Sequence, residues 1–122
     1  MIQNLLKYNY MQISLEAIVS FDEQQRIIQF DRNAEEMFGC TVAVALQKTL
    51  DFLFPFYSGN KYQNQMKLFA RDGKGGERDG WLQMRAVRGN GDEFLVEVDI
   101  TKFKVNGKNI FTAIFREVPG SF

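Results

Sequence analysis

The sequence predicts an α+β domain in which short helices pack against an antiparallel β-sheet. Its last third contains two Asn-Gly pairs, at residues 90–91 and 106–107, which separate three apolar-rich runs. Asn and Gly adopt positive φ at little steric cost, as both central residues of a type I′ turn must, so each pair indicates a β-hairpin. A meander of three strands should therefore follow the shorter β-forming runs and small helices of the first half.

The composition fits one domain with a single hydrophobic core. The chain has 122 residues, of which 45% are hydrophobic. Its 15 basic and 15 acidic residues cancel, although residues 1–60 hold four basic against seven acidic residues and residues 61–122 hold eleven against eight. This asymmetry, −3 against +3, is mild and argues against a nucleic-acid-binding surface.

The cysteine and histidine content limits the disulfide, metal-binding and acid–base chemistry that the chain can support. Cys40 is the only cysteine, which rules out an internal disulfide and favours a reducing compartment. The chain has no histidine and so lacks the commonest metal ligand and general base. It has neither a signal-peptide core nor a run of about 18 apolar residues. We therefore expect a cytoplasmic protein without histidine-dependent chemistry and without a membrane segment.

The first elements are an N-terminal helix and a hairpin. Apolar residues from Ile2 to Ile13 form an irregular stripe that predicts a helix over residues 1–14. Residues 17–22 and 26–31 are rich in β-forming side chains and predict two strands, joined by a turn at residues 23–25.

Short helices follow the hairpin. Residues 33–38 predict a helix of barely two turns, with Asn33 as the N-cap and Gly39 as the C-terminal stop. Residues 41–46 and 50–53 predict two more, the second halted by Pro55.

A longer helix and a loop complete the first two thirds. Tyr62, Met66 and Phe69 are spaced i, i+4, i+7 and predict a helix with one buried face. Residues 72–80 contain four glycines among five charged residues and predict a flexible loop.

The C-terminal strands indicate which sheet faces are covered. In the middle strand the apolar phase jumps from Ile100 to Phe103, which predicts a bulge near Thr101-Lys102. The last strand has apolar residues on both faces, so both need cover. The short helices cover one face, while the N-terminal helix or a second copy of the chain covers the other. Lys102, Lys104 and Lys108 form a solvated basic group around the last hairpin.

These pieces resemble the PAS sensory domain family over about residues 15–118. The likeness rests on the first hairpin and, in order, on residues 33–41 (NAEEMFGCT), 51–55 (DFLFP), 88–98 (RGNGDEFLVEV) and 111–118 (FTAIFREV). The resemblance implies a five-stranded antiparallel sheet of order 2-1-5-4-3 with short helices on one face. It also implies a cleft between the long helix and the sheet. The domain is then residues 15–118, with a cap helix over 1–14 and a disordered tail over 119–122.

The resemblance implies a sensory function, and the chain is then not an enzyme. The chain departs from the family where Glu117-Val118-Pro119-Gly120 replaces the usual Asp-Ile-Thr-like triplet that leads into a signalling helix. We expect a piece of a larger sensor, with a histidine kinase or diguanylate cyclase as effector, which relays a small-molecule or redox signal through a homodimer. The homodimer would use the N-terminal helix and the outer sheet face. The alternative is a ligand-free dimerisation or interaction module.

For a cofactor, the resemblance offers haem or flavin. Haem-binding members ligate iron through a histidine on the long helix, which this chain lacks. Cys40 does not lie in the motif of the light-sensing flavin members and is interpreted as a packing residue. A noncovalent flavin stacked on Trp81 and a small metabolite stay open beside the apo state.

The candidate pocket draws on several elements. The predicted lining residues are Phe52, Leu53, Met66, Phe69, Trp81, Met84 and Ile114 or Phe115. Gln29, Asn64 and Thr112 are the predicted polar groups among them. Strand parity leaves open whether Ile114 or Phe115 points inward, and the same residues also fit a closed core.

Overall fold

The computed structural model describes residues 15–57, 71–72 and 81–119. The predicted helix over residues 1–14 and the predicted long helix around residues 62–69 lie outside this part of the chain. So do the predicted loop over 72–80, except for Asp72, and the predicted tail over 119–122, except for Pro119. The described elements, in chain order, are β1 (Ala17–Phe21), β2 (Ile27–Phe30), α1 (Arg32–Phe38), α2 (Val42–Ala45), a 3₁₀ helix (Leu50–Phe52), β3 (Arg71–Asp72), β4 (Leu82–Val87), β5 (Glu93–Val105) and β6 (Lys108–Glu117).

One sheet joins all six strands. Its order is β2-β1-β6-β5, and both β3 and β4 lie on the remaining edge of β5. All pairs are antiparallel except that of β3, whose two residues run parallel to β5 at Thr101 and Lys102. Without this short β3, the sheet has five antiparallel strands in the predicted order 2-1-5-4-3, which confirms the expected fold class.

The core lies between the inner face of the sheet and the helices. Phe38 of α1 is fully buried, and its ring contacts those of Phe30, Phe54, Phe94 and Phe115 at centroid distances of 5.4 to 6.2 Å. Such tilted and edge-to-face pairs add to the free energy of burying the rings. A single helical side chain therefore connects α1 to strands β2, β5 and β6 on the inner face of the sheet.

The two Asn-Gly pairs form different turns. Asn106 (φ 52°) and Gly107 (φ 79°) are the two residues between Val105 and Lys108, so this hairpin has the predicted turn with positive φ at both positions. At the first pair only Gly91 has positive φ, 95°, and a five-residue loop connects β4 to β5. Both predicted hairpins are present, but only the second has a two-residue turn.

The predicted bulge in β5 is wrong. The pairing of β5 with β6 is regular from Val96 opposite Glu117 to Val105 opposite Lys108. Phe103 and Val105 stay on the face opposite to the buried Ile100, and they are 44% and 52% exposed. The β5–β6 hairpin extends past the core, so these two side chains stay exposed and the strand needs no bulge to turn them inward. An irregularity occurs instead between Ser20 and Phe21, in the pairing of β1 with β2.

The N-cap of α1 is Asp31 and not the predicted Asn33. The helix begins one residue earlier than the expected cap, so the Asp31 carboxylate accepts from the Ala34 N–H at 2.8 Å. The same Oδ1 accepts from the Ile18 N–H of β1 at 3.1 Å. Asn33 instead donates its side-chain N–H to the Glu16 carbonyl at 3.0 Å. Gly39 ends the helix with φ 66°, as predicted.

Candidate functional site

Four of the predicted lining residues meet on the inner face. Leu53, Met84 and Phe115 are buried in the hydrophobic core, and Phe52 packs against it. The segment after the 3₁₀ helix is fixed to the sheet because the Leu53 carbonyl accepts from the Val87 N–H at 3.0 Å. Met66 and Phe69 lie outside the described residues.

Phe115, and not Ile114, points inward. Phe115 is fully buried, and its ring lies 5.5 Å from that of Phe54. Ile114 is half-buried on the outer face, opposite Ile18 of β1 and Asp99 of β5. The open question of strand parity is therefore answered by the helices, which cover the Phe115 side.

Trp81 lies on the outer side of the sheet. Arg116 follows the inward-pointing Phe115 in β6, and its guanidinium lies 4.1 Å from the Trp81 ring centroid. Glu16 Oε2 accepts from both Nε and Nη2 of Arg116, at 3.0 and 2.8 Å. The structure therefore places Trp81 in an outer cluster and does not bring it together with Leu53 and Met84.

The predicted polar groups also lie on the outer face. The Ser20 hydroxyl donates to Gln29 Oε1 at 2.8 Å and lies 2.9 Å from the Thr112 hydroxyl. Ser20 is only 2% exposed. It was missed in the sequence, although the alternation of β1 between inward Val19 and Phe21 places it outward. Asn64 lies outside the described residues.

A second missed residue, Arg88, connects the exit of β6 to the helix layer. Its guanidinium donates to the Met37 carbonyl at the end of α1 and pairs with Glu117 Oε2 at 2.8 Å. It also lies 3.8 Å from the Phe94 ring centroid. The sequence signal that could have revealed this contact is Arg88 just before the Gly89–Gly91 loop, together with Glu117 at the end of the last strand.

Gly89 brings the same loop against α1. Its N–H donates to the Phe38 carbonyl at 2.8 Å, and a Cβ added to it would lie 2.3 Å from the Gly39 carbonyl oxygen. Only glycine fits this approach of two backbones. The loop after β4 and the end of α1 are therefore packed at main-chain distance.

Cys40 is a poor nucleophile in this position. Burial raises the pKa of its thiol above the ordinary value, and the Glu35 carboxylate raises it further. Because the thiolate is the reactive form, a raised pKa lowers the reactivity of this thiol.

Surface grooves lie away from the predicted pocket. One of about 300 Å³ separates the β1–β2 turn from the start of β6 and is lined by Arg26, Ile28 and Lys108 among others. Another, of about 340 Å³, lies beside Cys40. Neither contains a predicted lining residue. Within the described ranges no cluster of three or more Cys, Asp or Glu side chains is arranged to hold a metal, and no helix there has the length and apolarity to cross a membrane.

Comparisons with known proteins agree with the fold described above. A family model described as PAS domain matches residues 15–118. An uncharacterized protein of Azorhizobium caulinodans is 21% identical over 106 residues, which cover 86% of this chain and 14% of that protein. The chain thus spans a small part of this curated relative.

Solved structures share the fold. A PAS domain from a two-component sensor histidine kinase has a TM-score of 0.69 at 13% identity, over 97% of this chain and 100% of that chain. The LOV protein of Rhodobacter sphaeroides has a TM-score of 0.66 at 15% identity, over 89% of this chain and 62% of that chain. At these identities the matches concern the arrangement of the strands and helices.

Proposed function

The chain belongs to the PAS domain family, and from this membership we propose that it is the signal-input domain of a larger bacterial-type signalling protein. The effector is a histidine kinase or a diguanylate cyclase, and the domain relays a small-molecule or redox signal to it. The coverage of 14% of the curated relative supports a place within a longer chain.

One observation carries the proposed relay. Arg88 joins the end of α1 to Glu117, the last residue of β6, while its guanidinium lies over Phe94 of the inner face. A shift of the Phe94 ring would therefore act on the same side chain that holds the end of β6. A signal received between helices and sheet would reach a downstream effector by this route.

The proposed homodimer uses the N-terminal helix and the outer sheet face. Half-buried Ile18 and Ile114 lie at the centre of that face. Phe103 and Val105 extend it along the β5–β6 hairpin and are exposed. Apolar side chains at these positions of the outer face favour association with a second copy.

We propose a small metabolite, rather than flavin, as the ligand of this domain. Trp81, the expected stacking partner of a flavin, lies on the outer side of the sheet against Arg116. Cys40, with its raised pKa, is unsuited to thiolate chemistry. The predicted lining on the inner face is apolar, with Leu53, Met84 and Phe115 buried.

The alternative is a ligand-free dimerisation module. Its support is the aromatic packing around Phe38, whose ring contacts four other rings on the inner face. In this reading the effector responds to the association of the domains alone.

Native mass spectrometry and absorbance spectra of freshly purified protein separate the two functions. A signal-input domain should retain a bound molecule, visible as extra mass that denaturation releases. A mass equal to that of the bare dimer, with no response to a metabolite library in a thermal-shift screen, would favour the dimerisation module. A monomer without bound molecule would contradict both.

A further inference from the structure

We propose that Asn106 is a site of spontaneous deamidation and that Asn90, in the same Asn-Gly sequence, is protected by its hydrogen bonds. The two sites share the residue that follows and are both exposed. Any difference between their rates in the folded protein therefore comes from the turns that hold them.

The reaction needs only the chain and water. The backbone nitrogen of the following glycine attacks the side-chain carboxamide carbon of asparagine, and a new C–N bond forms. The bond from that carbon to the amide nitrogen breaks, and ammonia leaves with the proton of the attacking N–H. Water then opens the resulting succinimide at either C–N bond, which gives aspartate or isoaspartate.

At Asn90 both reacting groups are held. Its side-chain N–H donates to Asp92 Oδ2 at 3.1 Å, and its Oδ1 accepts from the Asp92 N–H at 2.9 Å. The nucleophile is held as well, because the Gly91 N–H donates to the Arg88 carbonyl at 2.9 Å. These hydrogen bonds must be given up before the nitrogen can reach the carboxamide carbon.

At Asn106 no hydrogen bond within the described ranges holds the reacting groups. In the described part of the chain, neither the Asn106 carboxamide nor the Gly107 N–H makes a hydrogen bond. The turn lies at the tip of a hairpin that extends past the core, and its residues are exposed. Gly107 carries no side chain to hinder the attack.

The carboxylate formed at residue 106 suits the basic surface around the turn, whereas the longer backbone of isoaspartate does not suit the turn itself. Lys102, Lys104 and Lys108 are exposed and have no ion pair in the described ranges, whereas each described arginine side chain pairs with a carboxylate. A carboxylate at residue 106 therefore gains cationic neighbours. Isoaspartate adds one methylene to the backbone, so it no longer fits the two-residue turn.

Timed peptide mapping of the full chain tests the proposal. The folded protein is held in mildly alkaline buffer, and the peptides of both sites are followed by mass spectrometry. We expect the amide-to-acid mass increase at Asn106 first, with Asn90 slower by about tenfold or more because of its hydrogen bonds. In denaturant the two rates should become similar. Asn90 reacting as fast as Asn106 in the folded protein would overturn the proposal.

Two variants sharpen the result. Asp92→Ala removes the acceptor of the Asn90 side chain and should speed reaction at residue 90 while leaving residue 106 unchanged. Asn106→Gln should abolish the fast reaction, because the longer glutamine side chain cannot form the five-membered succinimide ring. A fast mass increase that persists in this variant, or an Asn90 rate unmoved by Asp92→Ala, would contradict the mechanism.

Discussion

Arg88 shows how one side chain holds three parts of the fold together. It is hydrogen-bonded to the end of α1, paired with the end of β6 and placed over a core ring. Its side chain is 25% exposed, so solvent screens these contacts less than those of a surface arginine.

Replacing Arg88 with methionine is expected to lower the free energy of unfolding by about 2–3 kcal/mol, because charge-assisted hydrogen bonds and the ring contact are lost together. Urea denaturation followed by circular dichroism measures the change. Arg85→Met is the matched control. Arg85 also pairs with a carboxylate, Glu93, and lies over a ring, Phe56, but it is 45% exposed, so its loss should cost less than about 1 kcal/mol. Equal losses would show that the contacts of Arg88 have no special weight.

Gln25 carries an unfavourable buried amide. It is 2% exposed, and neither Oε1 nor Nε2 finds a hydrogen-bond partner within the described ranges. Gln25→Met keeps the length of the side chain and removes both polar atoms, so we expect a gain of about 1 kcal/mol in unfolding free energy. Thermal denaturation tests it against Gln24→Met, an exposed neighbour whose change should be near zero. A loss of stability in Gln25→Met would point to a polar partner for this amide.

Cys40 gives a pH-dependent prediction. Its raised pKa means that the folded state holds the thiol proton more tightly than the unfolded chain, so this contribution to stability is lost as pH rises above the ordinary thiol pKa. Iodoacetamide should therefore alkylate the folded chain only at higher pH than the denatured chain. Glu35→Gln removes the nearby carboxylate and should shift the folded profile to lower pH. Coincident profiles for folded and denatured chains would contradict the burial of the thiol.

At the scale of elements, the positions of strands and helices could be predicted better than their connections. Alternation in β5 and β6 follows from local pattern, and the turn at 106–107 from its two residues. The absence of a bulge in β5 depends on how far the hairpin extends past the core, which no local pattern contains. The cap of α1 was missed because Asp31 and Asn33 both have capping side chains, and packing against β1 decides between them.

Gly89→Ala is expected to cost about 2 kcal/mol or more, because its Cβ would overlap the Gly39 carbonyl, a main-chain atom that cannot rotate away. Gly91→Ala is the comparison. Nothing lies within 4 Å of a Cβ there, so only the strain of its φ of 95° applies, about 1 kcal/mol. Chemical denaturation of both variants measures the difference. A larger loss at Gly91 than at Gly89 would argue against the close packing of loop and helix.

At the scale of the whole molecule, the order of the strands came from resemblance alone. Local patterns predict which segments are strands, but they do not say that β1 lies beside β6. Ser20 of β1 pairs with Thr112 of β6, which is 92 residues further along the chain. The candidate site shows the same limit. Leu53, Met84 and Phe115 are buried in the same core, whereas Trp81 and Thr112 lie on the other face because sheet topology, and not residue type, decides the side.

The proposed homodimer gives the prediction at this scale. Phe103→Arg places a charge at an exposed apolar position of the outer face and should shift the protein from dimer to monomer in light scattering, with the circular dichroism spectrum unchanged. Gln47→Arg adds the same charge at an exposed position on the helix layer and should leave the dimer intact. A dimer that survives Phe103→Arg would exclude this hairpin from the interface.

Asp31 Oδ1 accepts two hydrogen bonds, one from the Ile18 N–H in the sheet and one from the Ala34 N–H in the helix. Fraying of the helix start frees this oxygen from one donor and loosens its hold on the other. Local opening here is therefore a shared event, and the first strand and first helix behave as one cooperative folding unit. A carboxylate shared in this way ties the first strand to the first helix at the start of the domain.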